Sequence, residues 1–195
     1  MGVWICIVEG DGDKKAVPTL LRRLMHEKFQ QWTVEFRPYN AHGRGNLTAP
    51  GGIERLVTRA VRERGCEAIL VVLDAEDDCP KERAKELAQR IRGVNPRVPV
   101  AVVIAHRCYE AWLLGGKDWT REPETVSPGA AKKEISGKLG RPYRETTDQE
   151  KLTAEISLDQ AETRCRSFRR LVHAVEELIQ ATQSGSSQPV ITPDP

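Results

Sequence analysis

Residues 3–21 read VWICIVEGDGDKKAVPTLL. Six apolar, strand-favouring residues, Val3 to Val8, stop at a carboxylate, Glu9, and pass through Gly10-Asp11-Gly12-Asp13 into a helical pattern. Val17, Leu20, Leu21, Leu24 and Phe29 recur at helical spacing behind Asp13, which is placed to cap the helix. A buried strand running straight into a helix is the opening unit of an α/β fold. Its tip carries an acid, which a buried strand does not require for stability.

The same alternation continues along the chain. Thr33–Tyr39 reads as a second strand, 40–52 as a glycine-rich loop, and Ile53–Arg64 as a helix. Ala68–Leu73 is a continuous apolar run of the kind buried on both faces, Lys81–Arg92 is helical, and Val98–Ala105 is a fourth strand. Four such units predict a parallel four-stranded sheet, Rossmann-like, with helices on both faces. This α/β core covers 1–115. A helical extension over 116–183 packs on it, dominated by one long helix from Asp159 whose apolar face includes Phe168 and Val175. The last residues, 184–195 (SGSSQPVITPDP), have the Pro- and Ser-rich composition of a disordered tail.

Composition narrows the function classes. The chain has 195 residues, 30% of them charged, with a formal net charge of only +2. No strong whole-protein attraction to nucleic acid follows, so phosphate binding must be local. Five scattered cysteines without a C-x-x-C pair suggest neither a zinc knuckle nor a disulfide framework. The cysteine usage and the lack of a signal-like or membrane-spanning apolar run point to a reduced, cytoplasmic protein.

The strand tips share a chemistry. Strand one ends at Glu9, with Asp11 and Asp13 behind it. Strand three ends in LDAEDD, giving Asp74, Glu76, Asp77 and Asp78. HRCYEAW after strand four puts Glu110 on the first turn of a helix. In parallel sheets, ligands sit outside the carboxyl ends of the strands. Like charges about 4 Å apart repel by about 4 kcal/mol at an effective dielectric of about 20, so such a cluster calls for a proton or a cation. Oxygen-only donors point to magnesium, with manganese as a substitute. Individually the acids have plainer readings: Asp11 and Asp13 as turn and cap residues, Asp77 or Asp78 as the cap of the helix at Pro80, and Glu110 as a partner of Arg107 or a neighbouring lysine.

VEGDGDKKAVPTLL, RPYNAHGRGNL, VVLDAEDDCP, VIAHRCYEAWLL and TRCRSFRRL, in that order, resemble a family of small bacterial Toprim-like proteins. That family is related to the Toprim domains of OLD-family nucleases and is often encoded beside an ATPase. The resemblance runs to about Leu178. It implies a magnesium-dependent nuclease acting on DNA or RNA, with an ATPase partner and a role in a phage-defence-like system. Glu9 matches the family's proton-transferring glutamate, and Asp74 and Glu76 match its D-x-D pair, with Glu76 departing from the second aspartate. Glu110 matches the acid before the tryptophan. The implied catalytic set is Glu9, Asp74, Glu76 and Glu110. The metal set adds Asp78, and Gly10, His42 and Arg44 are expected to meet substrate phosphate. The alternative is a catalytically silent Toprim-fold subunit that binds a partner.

Overall fold

The computed structural model describes residues 2–184 and 191–192. Strands β1 (Gly2–Val8), β2 (Val34–Asn40), β3 (Cys66–Asp74), β4 (Val100–Ala105) and β5 (Ile191–Thr192) form one all-parallel sheet in the order β2-β1-β3-β4-β5. Side-chain alternation splits the core into two layers. Trp4, Cys6 and Val8 of β1, with Leu70 and Val72 of β3, point to one face, and Ile5, Ile7, Ile69 and Val71 point to the other. Both layers are apolar because helices cover both faces. Each such side chain, fully buried, contributes about 1.5–3 kcal/mol.

Helices α1 (Asp13–Arg23), α5 (Tyr109–Gly116), α6 (Pro128–Leu139), α7 (Glu150–Glu155), α8 (Leu158–Arg164) and α9 (Arg166–Ser184) serve the first layer. Helices α2 (Arg44–Thr48), α3 (Gly52–Ala60) and α4 (Pro80–Val94) serve the second. The extension therefore shares its core with the sheet: Phe168, Leu171 and Val175 of α9 are buried in the same layer as Trp4. Among the described residues, no helix is long and apolar enough to cross a membrane.

The α/β class and the parallel sheet are as the sequence predicts, and four differences are physical. A fifth strand exists, built from Ile191–Thr192 inside the segment expected to be disordered. It is held by β4 and by Arg92, which donates to the Ile191 carbonyl at 2.7 Å. The rest of that segment beyond Ser184 lies outside the described residues. The long C-terminal helix breaks at Cys165, whose extended backbone (φ −113°, ψ 113°) separates α8 from α9. The 40–52 loop contains the short helix α2. Trp112, which the sequence offers with Trp119 and Tyr143 as an exposed aromatic for an interface, is fully buried, whereas Trp32 is 63% exposed.

Candidate functional site: an acid edge at the strand tips

The register sets the site. Val8 pairs with Val72 across β1–β3, and Asp74 pairs with Ala105 across β3–β4. Glu9, Asp74 and the Cys108–Glu110 turn therefore emerge side by side. The Glu9 carboxylate accepts from the Asp74 backbone N–H at 3.4 Å, and Asp74 Oδ1 accepts from the Tyr109 N–H at 2.9 Å. The second bond ties the acid of β3 to the first turn of α5. That placement carries Glu110, only 3% exposed, to the same edge.

Asp13 completes the group. It is the first residue of α1, behind an N-cap at Gly12, and not the cap itself. Its carboxylate turns back to accept from the Gly10 N–H (3.2 Å) and from Gln149 Nε2 (2.7 Å). Glycine at position 12 leaves room for this approach: a Cβ there would lie 2.1 Å from the Gln149 side-chain oxygen, and the amide would have to shift.

The electrostatics reflect crowding. The Asp74 carboxyl is held well above the ordinary aspartate range, first by burial and then by Asp13, Glu110 and Glu9, against the opposing Tyr109 N–H bond. Burial also raises Glu9, with Asp13 and Glu76 adding to it while the Asp74 N–H and Arg44 oppose. Asp13 is raised by burial, against its bonds from Gln149 and Gly10. Glu110 is raised by burial, with Lys132 opposing. Lys132 of α6 is the cation facing the group, and it is bonded to Glu145 at 2.5 Å. The Tyr143 hydroxyl is buried near Glu110 and makes no hydrogen bond of ordinary geometry among the described residues.

Several residues expected at the site are committed elsewhere. Glu76, in a left-handed backbone conformation (φ 52°), is exposed and paired with Arg44 at 2.8 Å. Asp78, expected to bind metal, is gripped by Arg44 and by Arg83 (2.7 Å), and its side chain does not cap α4. Arg44 also donates to the Ala75 carbonyl, so it braces the β3 loop and is not free for phosphate. His42 is exposed, with its backbone N–H bonded to the Asn40 side chain. Gly10 has room for a Cβ, whose nearest contact would be Asp13 at 3.9 Å, so close approach does not dictate glycine there. Arg107 pairs with Asp77 at 2.5 Å and leaves Glu110 to Lys132.

Lys132, Tyr143 and Gln149 went unforeseen as site residues. They sit in the extension more than 120 positions after Glu9, and Lys132 and Tyr143 belong to KKEISGKLGRPYR, whose surface-like composition gives no hint of burial. Asp13 had a visible cue, four positions after Glu9 at the start of a helix, but the same position suits a cap.

The edge concentrates carboxylates that retain protons more readily than solvated acids do, which suits proton transfer and attraction of a hard cation. Among the described residues, no three His, Cys, Asp or Glu side chains are arranged to hold a metal ion. No curated protein matches the chain in sequence. Among solved structures, the tail-truncated TubZ of Clostridium botulinum phage c-st is similar at a TM-score of 0.31 and 10% identity, over 77% of this chain. The match spans 57% of the TubZ chain. A family pattern matches from Val8, at the root of the Glu9 tip, to Glu176 in α9, and so takes in the whole acid edge and the extension that closes it. The chain belongs to the DUF4276 family, a domain of unknown function, over residues 8–176.

Proposed function

We propose that the acid edge binds magnesium, or manganese in its place, and hydrolyses phosphodiester bonds in nucleic acid. The Toprim likeness of the sequence motifs implies that chemistry. The supporting observation is Asp74: a half-buried carboxyl crowded by Asp13, Glu110 and Glu9, with one lysine in attendance. The donor chemistry fits a hard divalent ion, all oxygen and anionic. Asp74, Asp13 and Glu110 would hold it, and because no three such side chains are arranged for an ion among the described residues, these carboxylates would reorient on binding. When bound, the ion would polarise the scissile phosphate and stabilise its developing charge. Glu9 is the proton-transfer group, because it is raised yet still reaches solvent. Lys132 offsets the charge of Glu110 until the ion arrives.

One observation favours a second reading, a silent subunit that acts through a partner such as an ATPase: Arg44, the expected phosphate contact, is held by Glu76 and Asp78. The test is magnesium-dependent cleavage of plasmid and single-stranded DNA or RNA by the wild type and by Glu9→Gln, with metal affinity followed by calorimetry. We expect the variant to bind the ion normally and to cut about 100-fold more slowly. Absence of magnesium-dependent cutting by the wild type, with a partner ATPase supplied, would leave the second reading standing.

A further inference from the structure

A cavity of about 610 Å³ lies at the outer edge of the sheet, between the starts of α4 and α9. Among the described residues, β5 pairs with β4 only at Val100 and Ala101. Beyond that point Val102 and Ile104 of β4, with Ala84 of α4, line the cavity as an apolar floor. The wall is different. Arg166, Arg169, Arg170 and His173 come from α9, and Lys81 comes from the first turn of α4.

The wall carries more positive charge than its neighbouring acids, Glu124 near His106 and Glu177 near Arg170 and His173, offset. The acid in the lining is Glu124, and it is spent on the N-terminus of α9, accepting from the N–H groups of Arg166 (2.9 Å) and Ser167 (2.8 Å). It also stands 3.9 Å from His106. Arg169 donates to the uncharged carbonyls of Glu162 and Thr163. Arg170 bonds Thr192 and His173, with Glu177 at 3.5 Å. Lys81 and the Arg166 side chain are exposed and meet no acid among the described residues. The cavity thus separates an apolar floor from a cationic wall. Its size falls within the roughly 300–1,000 Å³ usual for small-ligand sites.

We infer that this cavity binds a nucleotide unit, with its phosphate on the Arg166–Arg170 and Lys81 wall and its base on the Val102–Ile104 floor. Guanidinium groups match phosphate geometry with paired N–H donors, and the flat base finds an apolar surface. The cavity also neighbours the acid edge. His106 lines it and donates its backbone N–H to Ser167 Oγ at 3.0 Å, one residue beyond the Ala105–Asp74 pair. Adjacent strands are about 4.8 Å apart, so a strand of nucleic acid seated here would lead its next phosphates toward Asp74. Only this strand version rests on the nuclease reading, since the cavity binds a free nucleotide equally well without it.

The test uses the intact chain in a chelating buffer, where nothing is cut. Calorimetry would follow inorganic phosphate, adenosine monophosphate and a short 5′-phosphorylated single-stranded oligonucleotide. We expect Lys81→Glu combined with Arg166→Glu, both with exposed side chains that meet no acid among the described residues, to weaken the phosphorylated probes by about tenfold or more. Arg62→Glu, a charge reversal at an exposed position outside the cavity lining, should bind them as the wild type does. An oligonucleotide that binds more tightly than the mononucleotide identifies a strand as the ligand, and equal affinity identifies a free nucleotide. The inference is overturned if neither nucleotide binds at millimolar concentration, or if charge reversal leaves affinity unchanged. It is equally overturned if an acidic peptide outcompetes both probes, which would make the cavity a peptide-docking edge. Binding without cleavage in the separate nuclease assay would remove the nuclease reading and leave this one intact.

Discussion

Replacing Asp74 with asparagine isolates the cost of the crowded edge. Asn keeps the shape and an Oδ1 that still accepts the Tyr109 N–H, so the tie between β3 and α5 survives. What disappears is the charge facing Asp13, Glu110 and Glu9. One like-charge pair costs about 4 kcal/mol at about 4 Å and an effective dielectric of about 20, and about half that at twice the distance. The wild type relieves part of this by holding a proton. A net gain of about 2 kcal/mol for the variant near pH 8 is therefore expected, or about 4–8 °C in melting temperature for a chain of this size. The sign follows from linkage. A carboxyl raised in the folded state binds its proton more tightly there than in the unfolded chain, so wild-type stability is greatest in acid and falls as pH rises through the folded pKa. As pH falls to about 3.9, the ordinary aspartate pKa, the folded and unfolded wild type both take up the proton, and the gain should shrink toward zero. Urea unfolding of both proteins at the two pH values, in chelator, measures the difference. A variant less stable at both pH values, or more stable by the same amount at both, would refute the repulsion argument. Added magnesium should stabilise the wild type and not the variant.

Two further changes probe how the edge is closed. Gly12→Ala forces a methyl against Gln149 and Glu145 and should cost about 1–3 kcal/mol, read by denaturant unfolding, while slowing any magnesium-dependent activity by displacing Asp13. Ser167→Ala removes the hydroxyl that accepts from Trp112 Nε1 (2.8 Å) and from the His106 N–H, and should cost about 1–3 kcal/mol with a change in tryptophan fluorescence, because a buried indole N–H loses its acceptor.

The sequence and the structure agree where local pattern and global packing ask for the same thing. β1, β4 and the Ala68–Leu73 stretch of β3 are apolar because both faces are covered, and that makes them visible as unbroken runs. Glu9 and Asp74 stand out because an acid at the end of such a run has no packing role, whereas Glu110, five residues past β4, stands out through the resemblance of VIAHRCYEAWLL. Disagreement begins where the decisive contact is distant. Asp78 looks like a cap or a ligand until Arg44, 34 positions earlier, takes it. The break at Cys165 is invisible in a periodic apolar pattern, because the Glu124 carboxylate that satisfies the first N–H groups of α9 comes from another turn of chain. A two-residue strand such as β5 carries too few residues for any periodicity at all.

The bond between Asp13 and Gln149 spans 136 positions. During synthesis from the N-terminus, the strand tips and their acids emerge long before the segment that encloses them. Until Gln149, Tyr143 and Lys132 arrive, the carboxylates stay hydrated and ordinary in their acidity, since what raises them is enclosure. Contacts this distant in sequence form late in folding. The nascent chain therefore carries the acids but not their altered proton affinity, and whatever chemistry the edge performs begins only after the extension has docked.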